Sequence, residues 1–439
     1  FEDKGFKVVY ENNFGTVSIV FEEEEFSSPV REIQITPYRI EGSYSDKRHP
    51  DSVSFSKNIN DDLSRRDFTM NAIAMDPVTF ELIDPFHGKQ AIEKQIIVCV
   101  GNPAERFSED ALRIIRAIRF AAQLNFTVSH ETMNAIIETR ELLLNVSAER
   151  IRDEFIKIIN SDNPGIALFH MKQLGLLEIV LPEIIPGIGC EQGGVHIYDV
   201  FDHLVHAVQH AADKGYTFHI RLTALFHDIG KPKTRRPGNK KAYTFYGHEV
   251  VGARIAGKIM ERLKFPKADT ELVTKFVRWH MFFSDTESIT LSAVRRMIAN
   301  VGADHIWDLM KVRECDRVGM NKTEAPYRLR KYFAMIEECL RDPISVSQLK
   351  IDGNYLINEL HVKPGPRMGW MLHALLEEVL ENPEKNTIEY LSDRVKQMEK
   401  IPDKELKAMG EQGKQVKESA DQEEVKKLHV KHNVATRKK

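Results

Sequence analysis

The stretch Ala224–Pro232, ALFHDIGKP, sets His227 beside Asp228 at the end of an apolar run and follows them with Gly-Lys. His203 lies about one helical hairpin earlier, in DVFDHLVHAVQH. His248 (YGHE), His280 (RWHM) and Asp316 (ECDRVG) come later. Imidazoles and carboxylates carried on facing helices suit a divalent cation such as Mn²⁺, Fe²⁺, Ni²⁺ or Mg²⁺, which activates water for hydrolysis. Taken singly, any of the 17 histidines reads as a core or capping residue; as a set they point to a metal. His206 and His210 share the helix of His203 but are expected in core or surface roles.

A second group lies in RFSEDALRIIRAIRFAAQLNF. Ser108 is placed to cap a helix, with Glu109 and Asp110 in its positive first turn. Asp110, Arg113, Arg116 and Arg119 would then share a slowly rotating face while Leu112, Ile115 and Phe120 pack inward. Such a row is either a solvated, salt-bridged face or a reading head. As a reading head, the Asp accepts from the exocyclic amine of cytosine or adenine and the Arg donates to the neighbouring ring acceptor. Guanine and uracil present the opposite pattern. The remaining guanidinium forks match the oxygens of a triphosphate.

The elements that must position these groups fall into two styles. Residues 6–40 hold β-branched runs (GFKVVY, GTVSIVF, VREIQITPYRI) separated by ENNF and an acidic turn, which predicts a small antiparallel or mixed sheet. From about residue 108 helical periodicity dominates, broken at SDNPG, LPEIIPGIG and VKPGPRMG. A length of 439 residues implies about three domains. No apolar run approaches the roughly 20 residues of a membrane helix, so no membrane partner is expected and the cytoplasm is the expected compartment. Four scattered cysteines without a CxxC exclude a disulfide framework and a Cys-type zinc site. With 62 basic against 65 acidic residues, no global field attracts a polyanion, and nucleic acid must be held by local basic surfaces.

Four motifs in order, SRRDFTMNAIA (64–74), LIDPFHG (82–88), GNPAERFSEDALRIIRAIRF (101–120) and SAERIRDEF (147–155), resemble those of bacterial class II tRNA nucleotidyltransferases, the family of CCA-adding enzymes and related poly(A) polymerases. The His-Asp set resembles the HD phosphohydrolase superfamily. The resemblance implies an α+β protein: a small polymerase-β-like sheet domain, incomplete at its N-terminus, followed by an elongated all-α body with an HD domain. The corresponding division is a head over 1–83, a base-recognising neck over 84–155, an HD body over 156–320 and a tRNA-binding helical tail over 321–439.

It also implies roles. Asp67 would sit at the ribose 2′-hydroxyl, Arg65 or Arg66 at the triphosphate, and Asn71 would brace that turn. Asp110 and Arg113 would template the base, with Glu109 orienting Arg113 and with Arg116 and Arg119 on the phosphate side. The tRNA 3′-hydroxyl would attack the α-phosphate of CTP or ATP with Mg²⁺ assistance. The catalytic residues themselves, a GG-x-V-R-D stretch and a DxD pair holding Mg²⁺, are expected upstream of Phe1. His203, His227, Asp228 and Asp316 would be the HD metal ligands, leaving His248 and His280 for a second metal or a substrate phosphate.

His87 and Ala91 depart from the usual pattern. The loop SYSDKRHP resembles the flexible loop of enzymes that add the terminal A. An A-only enzyme, a poly(A) polymerase, and an HD phosphohydrolase with a non-catalytic nucleotide- or RNA-binding head stay open as alternatives. In the tail, Gly353 and PGPRMG read equally as phosphate-facing helix starts or as ordinary caps, and Met368, Trp370, Met371 and Leu375 read as core.

Overall fold

A computed structural model describes residues 1–4, 6–10, 15–21, 32–42, 52–194, 196–238, 242–281, 289–319 and 326–415. The loop SYSDKRHP and the basic end beyond 415 lie outside them. The chain forms two compact units, Phe1–Val180 and Leu181–Lys439.

The first unit opens with an antiparallel sheet of β1 (Lys7–Tyr10), β2 (Val17–Val20) and β3 (Glu32–Ile35), with β2 central. Ser18 and Ile19 of β2 are both buried, while all of β3 is exposed. Two antiparallel hairpin pairings follow, β4 (Arg39–Glu41) with β5 (Val53–Phe55), and β6 (Ala74–Met75) with β7 (Leu82–Ile83); α1 (Ile59–Ser64) lies between them in sequence. Then come α2 (Gly88–Glu93), β8 (Ile96–Ile97), α3 (Pro103–Glu109), α4 (Leu112–Leu124), β9 (Thr127–Val128), α5 (His130–Thr139), α6 (Ala148–Ile159), α7 (Pro164–Gln173) and α8 (Leu177–Val180). Helix α4 is the spine. Its Ile114, Ile115, Ala117, Ile118 and Ala121 are buried, and it ends at Asn125 in the left-handed region (φ 55°), a conformation Asn tolerates.

The helix boundaries around α4 correct the sequence reading. Ser108 does not begin a helix; its hydroxyl donates to the Ala104 carbonyl inside α3 (2.8 Å). The start is Asn102, which caps the Ala104 N–H, with Pro103 in the first turn. Asp110 stands in a break between two helices, with extended backbone (φ −143°, ψ 102°). From there its Oδ1 accepts from the Leu112 N–H (3.1 Å) and serves as the cap of α4.

Helix α7 belongs with α4. Asn163 Nδ2 donates to the Ala122 carbonyl (3.1 Å), and the first compact unit runs to Val180.

Among its described residues the second unit is mainly helical, with the short pair β10 (Arg236–Pro237) and β11 (Tyr243–Thr244). Before that pair come α9 (Val200–Asp213), α10 (Phe218–Phe226) and α11 (Lys231–Thr234); after it come α12 (His248–Arg262), α13 (Lys267–Trp279), α14 (Leu291–Val301) and α15 (Ile306–Cys315). The chain closes with α16 (Pro326–Cys339), α17 (Gly353–Asn358), α18 (Pro366–Glu381), α19 (Ile388–Met398) and α20 (Asp403–Gln415). Ile298, Val301, Ile336, Leu375, Val379, Leu391 and Val395 belong to one continuous core. Met371 and Leu375 are buried, with Met368 and Trp370 partly so.

Two arginines, Arg295 buried and Arg367 partly so, satisfy helix ends that would otherwise leave carbonyls unpaired. Arg295 donates to the carbonyls of Leu380 (2.7 Å) and Glu381 (3.2 Å), and Arg367 to those of Met398, Glu399 and Ile401. Asp352 caps α17 through the Tyr355 N–H (2.8 Å), so cap chemistry accounts for Gly353 without a phosphate.

Candidate active sites

In the first unit a cleft of about 540 Å³ is lined by Arg65, Arg66, Asp67, Asn71, Asp110, Leu112, Arg113, Arg116, Phe120 and Arg150. Its charged walls are held by internal pairs. Asp62, buried at the end of α1, accepts from Arg65 Nε (3.0 Å) and from Arg66 Nη2 (3.1 Å), fixing two neighbouring guanidiniums. Burial pushes the Asp62 carboxyl up, but these two cations hold it below its ordinary value.

Asp67 is pinned from three sides. Its Oδ1 accepts from the Phe68 N–H (2.8 Å) and from Asn71 Nδ2 (3.0 Å), and its Oδ2 from Arg116 Nε (2.8 Å) and Nη2 (2.6 Å). Burial raises its carboxyl, and Arg116 with these hydrogen bonds brings it below the usual carboxylate range.

Asp110 and Arg113 stand together at the break before α4. Asp110 Oδ2 accepts from Arg150 Nη2 (2.8 Å). Arg113 donates to Glu109 Oε2 (2.6 Å), to the Arg106 carbonyl (3.1 Å) and to the Arg65 carbonyl (3.0 Å). Glu109 also pairs with Arg106 (2.6 Å) and is not itself a lining residue. Each Asp110 oxygen keeps a second lone pair, so the carboxylate can accept from a base amine without losing its protein partners.

Arg119 departs from the expectation. It is buried, ion-paired to Glu154 (Nε–Oε2 2.7 Å) and stacked on Phe120 (3.9 Å to the ring centre). A three-residue step turns a helix by about 300°, so each successive arginine lags by about 60° and Arg119 points well away from Arg113. Phe120, expected inside, instead reaches the cleft wall. Asp62, Arg150 and Glu154 were not foreseen. Arg150 and Glu154 are an i, i+4 pair in SAERIRDEF, which places them on one face of α6.

In the second unit α9 carries His203, the end of α10 carries His227 and Asp228, α12 starts at His248, α13 ends at His280 and α15 ends at Asp316. All six are buried. Single ligand atoms from His203, His227, Asp228 and Asp316 lie within 4.8 Å of one another, and the same is true of Asp228, His248 and His280. Asp228 joins the two groups. His206 instead stacks on Tyr198 (4.3 Å between centres) and His210 faces Glu314 (3.5 Å).

The donor set fits a cation. Each of the four imidazoles places Nδ1 against a backbone carbonyl: His203 on Val318 (3.1 Å), His227 on Ala224 (2.8 Å), His248 on Phe245 (2.7 Å) and His280 on Val277 (2.7 Å). Those carbonyls can only accept, so the proton belongs on Nδ1 and the lone pair on Nε2. The lone pairs then face each other, with His203 Nε2 3.1 Å from His227 Nε2 and His248 Nε2 3.3 Å from His280 Nε2. Asp316 Oδ1 lies 3.3 Å from His227 Nε2, and Asp228 Oδ1 lies 3.1 Å from His248 Nε2. Converging lone pairs and carboxylates in a buried space demand positive charge. His227 shows the same demand: burial pushes it down, yet Asp228 and Asp316 raise it to about 10.

Three residues beside this cluster were not foreseen. Lys231 Nζ lies 2.5 Å from Asp228 Oδ2 and donates to Gln192 Oε1 (2.6 Å), and both side chains are buried. His196 packs edge-on against His203 (5.7 Å between centres), and burial pushes it down to about 4. Gln192 and His196 come from a glycine-rich loop with no periodicity to announce it.

Comparison with known proteins matches three successive segments of the chain. Residues 1–98 match the poly(A) polymerase head domain, 125–187 the probable RNA- and SrmB-binding site of polymerase A, and 200–317 the HD domain. An A-adding tRNA nucleotidyltransferase of Deinococcus radiodurans is 32% identical over 346 residues, covering 74% of this chain and 76% of that protein. A CCA-adding enzyme of Lactobacillus johnsonii is 43% identical over 185 residues, or 42% of this chain and 43% of its own length. Among solved structures, the Bacillus stearothermophilus CCA-adding enzyme in complex with CTP superposes with a TM-score of 0.61 at 23% identity, covering 90% of this chain and 85% of the other. It shares the fold. No helix among the described residues is long and apolar enough to cross a membrane.

Proposed function

Because the chain belongs to the tRNA nucleotidyltransferase family that includes the CCA-adding and A-adding enzymes, we propose that it extends tRNA 3′ ends with C and A from CTP and ATP without a nucleic-acid template. The observation that carries this reading is the pair Asp110 and Arg113, fixed side by side at the break before α4 on a wall shared with Arg65, Arg66 and Arg116. The carboxylate accepts from the exocyclic amine that cytosine and adenine share, and the guanidinium donates to the adjacent ring nitrogen. Asp67, pinned by Asn71 and Phe68, is positioned to accept from a ribose 2′-hydroxyl. Arg65, Arg66 and Arg116 line the same cleft and match a triphosphate. In the transfer the tRNA 3′-hydroxyl would lose its proton and bond to the α-phosphorus as pyrophosphate leaves, and Mg²⁺ would supply neutralisation of the developing charge.

The four-part division of head (1–83), neck (84–155), HD body (156–320) and tRNA-binding tail (321–439) is the functional map we attach to this reading, and the cytoplasm is its compartment. In the HD body, His203, His227, Asp228 and Asp316 would hold a divalent ion (Mn²⁺, Fe²⁺, Ni²⁺ or Mg²⁺), with Asp228, His248 and His280 available to a second. Such an ion supplies Lewis acidity and a lowered water pKa for phosphate-ester hydrolysis.

The test uses protein extended upstream of Phe1, incubated with CTP and ATP and with tRNAs ending before CCA, after CC or after CCA. Addition of C, C and then A is the expected result. A alone on the CC end would reassign it as A-adding, long A tails as a poly(A) polymerase, and no incorporation as a binding head beside a hydrolase.

A further inference from the structure

The wall that carries Asp110 and Arg113 holds a third charged group whose donors are mostly unspent. Arg150 stands in the first turn of α6, lines the cleft and keeps its side chain 23% exposed. Its Nη2 donates to Asp110 Oδ2 (2.8 Å), its one hydrogen bond among the described residues. A guanidinium has five N–H groups, so four of them have no protein acceptor. The other cleft arginines are more fully engaged. Arg116 gives Nε and Nη2 to Asp67, and Arg65 gives the same two nitrogens to Asp62.

Arg113 and Arg150 share no partner. Arg113 is anchored towards α1 and α3, on the Arg65 and Arg106 carbonyls and on Glu109, whereas Arg150 comes from α6 and is held by Asp110 alone. The wall therefore offers two donors and, with them, one acceptor carboxylate whose oxygens keep spare lone pairs.

Adenine and cytosine differ in what flanks the exocyclic amine. Adenine has an acceptor on each side of it, N1 and N7; cytosine has N3 on one side and on the other C5–H, which accepts nothing. Guanine and uracil put a carbonyl where Asp110 requires a donor. The pair Asp110 and Arg113 meets only the amine and the ring nitrogen that adenine and cytosine share, so by itself it cannot tell them apart.

We propose that Arg150 is the residue that separates adenine from cytosine: with the amine on Asp110 and N1 on Arg113, the open arm of Arg150 donates to adenine N7, a contact that cytosine has no atom to make. This rests on the nucleotide-adding reading of the cleft and deepens it. Adenine is read at three points and cytosine at two.

The test titrates the upstream-extended protein of the addition assay, without tRNA, with ATP, 7-deaza-ATP and CTP by calorimetry. 7-Deaza-ATP keeps the amine, N1, ribose and triphosphate and replaces N7 by C–H. The parent should bind ATP about tenfold more tightly than 7-deaza-ATP, the loss of one hydrogen bond from a charged donor. Arg150→Ala should bind these two within about twofold of each other, and any weakening of CTP should match that of 7-deaza-ATP. A role limited to neutralising Asp110 predicts instead that all three ligands weaken alike and that the preference for ATP over its 7-deaza analogue is the same in parent and variant; that result overturns the proposal. Arg150→Met keeps the packed stem without any donor, and it decides if the alanine variant does not fold. Binding of CTP and ATP by a parent that accepts 7-deaza-ATP equally well removes Arg150 from base choice and leaves the cleft a nucleotide site. Binding of neither nucleotide removes the nucleotide-adding reading, and the role of Arg150 with it.

Discussion

The two sites solve opposite electrostatic problems. In the first unit every named charge on the cleft wall has a protein partner: Arg116 on Asp67, Arg113 on Glu109, Arg150 on Asp110, and Arg65 and Arg66 on Asp62. In the HD cluster the imidazole lone pairs face one another at 3.1 and 3.3 Å, and burial keeps water from relieving them. A cleft of satisfied pairs is rigid and ready, and it can exchange partners with a solvated anion. A buried set of converging acceptors is incomplete without a cation. The difference explains why one site reads as nucleotide recognition and the other as a metal centre, although aspartates serve in both.

The contrast breaks most severely if the HD ligands are removed. His227→Ala with Asp228→Ala takes away two members of the cluster, including the carboxylate shared by both groups. Metal-dependent phosphate release should fall more than about 100-fold and bound metal should disappear from elemental analysis. Nucleotide addition, carried by the other unit, should stay within about twofold. Loss of addition with an intact circular dichroism spectrum would show that the two sites are coupled.

The next effect sharpens the other side. If Asp110 and Arg113 read the base as proposed, Asp110→Ala or Arg113→Ala removes half of that contact, a change of about 1–3 kcal/mol, so discrimination of C and A against G and U should narrow about 5- to 150-fold. Misincorporation on tRNA ending before CCA measures it. Asp110→Ala also removes the α4 cap and Arg113→Ala the bonds to Glu109 and to the Arg106 and Arg65 carbonyls, so each should also cost about 1 kcal/mol of stability, and selectivity is compared below the lowered melting temperature. Unchanged selectivity would remove both residues from base recognition.

How far these sites could be read in advance follows from their geometry. The convergence of the His and Asp side chains was legible because a His-Asp pair ending an apolar run, with further His and Asp on or at the ends of helical segments, needs only helix packing to bring them together. Lys231 was visible in HDIGK, but its partner Gln192 is 39 residues away on a loop without periodicity, and such pairs are set by tertiary structure alone. In the first unit Asp110 and Arg113 were correctly adjacent, yet the helix start was misplaced. The signal was present in GNPAERF, where Asn before Pro marks a cap and first turn. Ser108, a good cap in isolation, turned its hydroxyl back to the Ala104 carbonyl. Arg119 left the face through the 60° lag of a three-residue step, an error that grows with each repeat. Glu154 waiting beneath it belongs to α6, and nothing local to Arg119 announces that partner.

The smallest effect concerns pH. Asp67 is 8% exposed and its carboxyl lies below the ordinary 3.8 because Arg116, Asn71 and the Phe68 N–H outweigh the cost of burial. Its folded value is therefore below its unfolded one. The stability it contributes is fully present above the unfolded value and is lost as pH falls through the folded one, since the unfolded chain takes up the proton first. Asp67→Asn should consequently destabilise the first unit by about 1 kcal/mol at neutral pH, and the deficit relative to the parent should shrink as pH falls below about 4. Denaturant melts followed by a probe placed in residues 1–180 measure this, because Asp228 and Asp316 are also held low in the second unit and would dominate a global signal. A deficit independent of pH would mean that Asp67 matters by shape rather than charge. In that case the pair with Arg116 would be a packing contact, and the exchange of partners that distinguishes the cleft from the metal cluster would lose its first example.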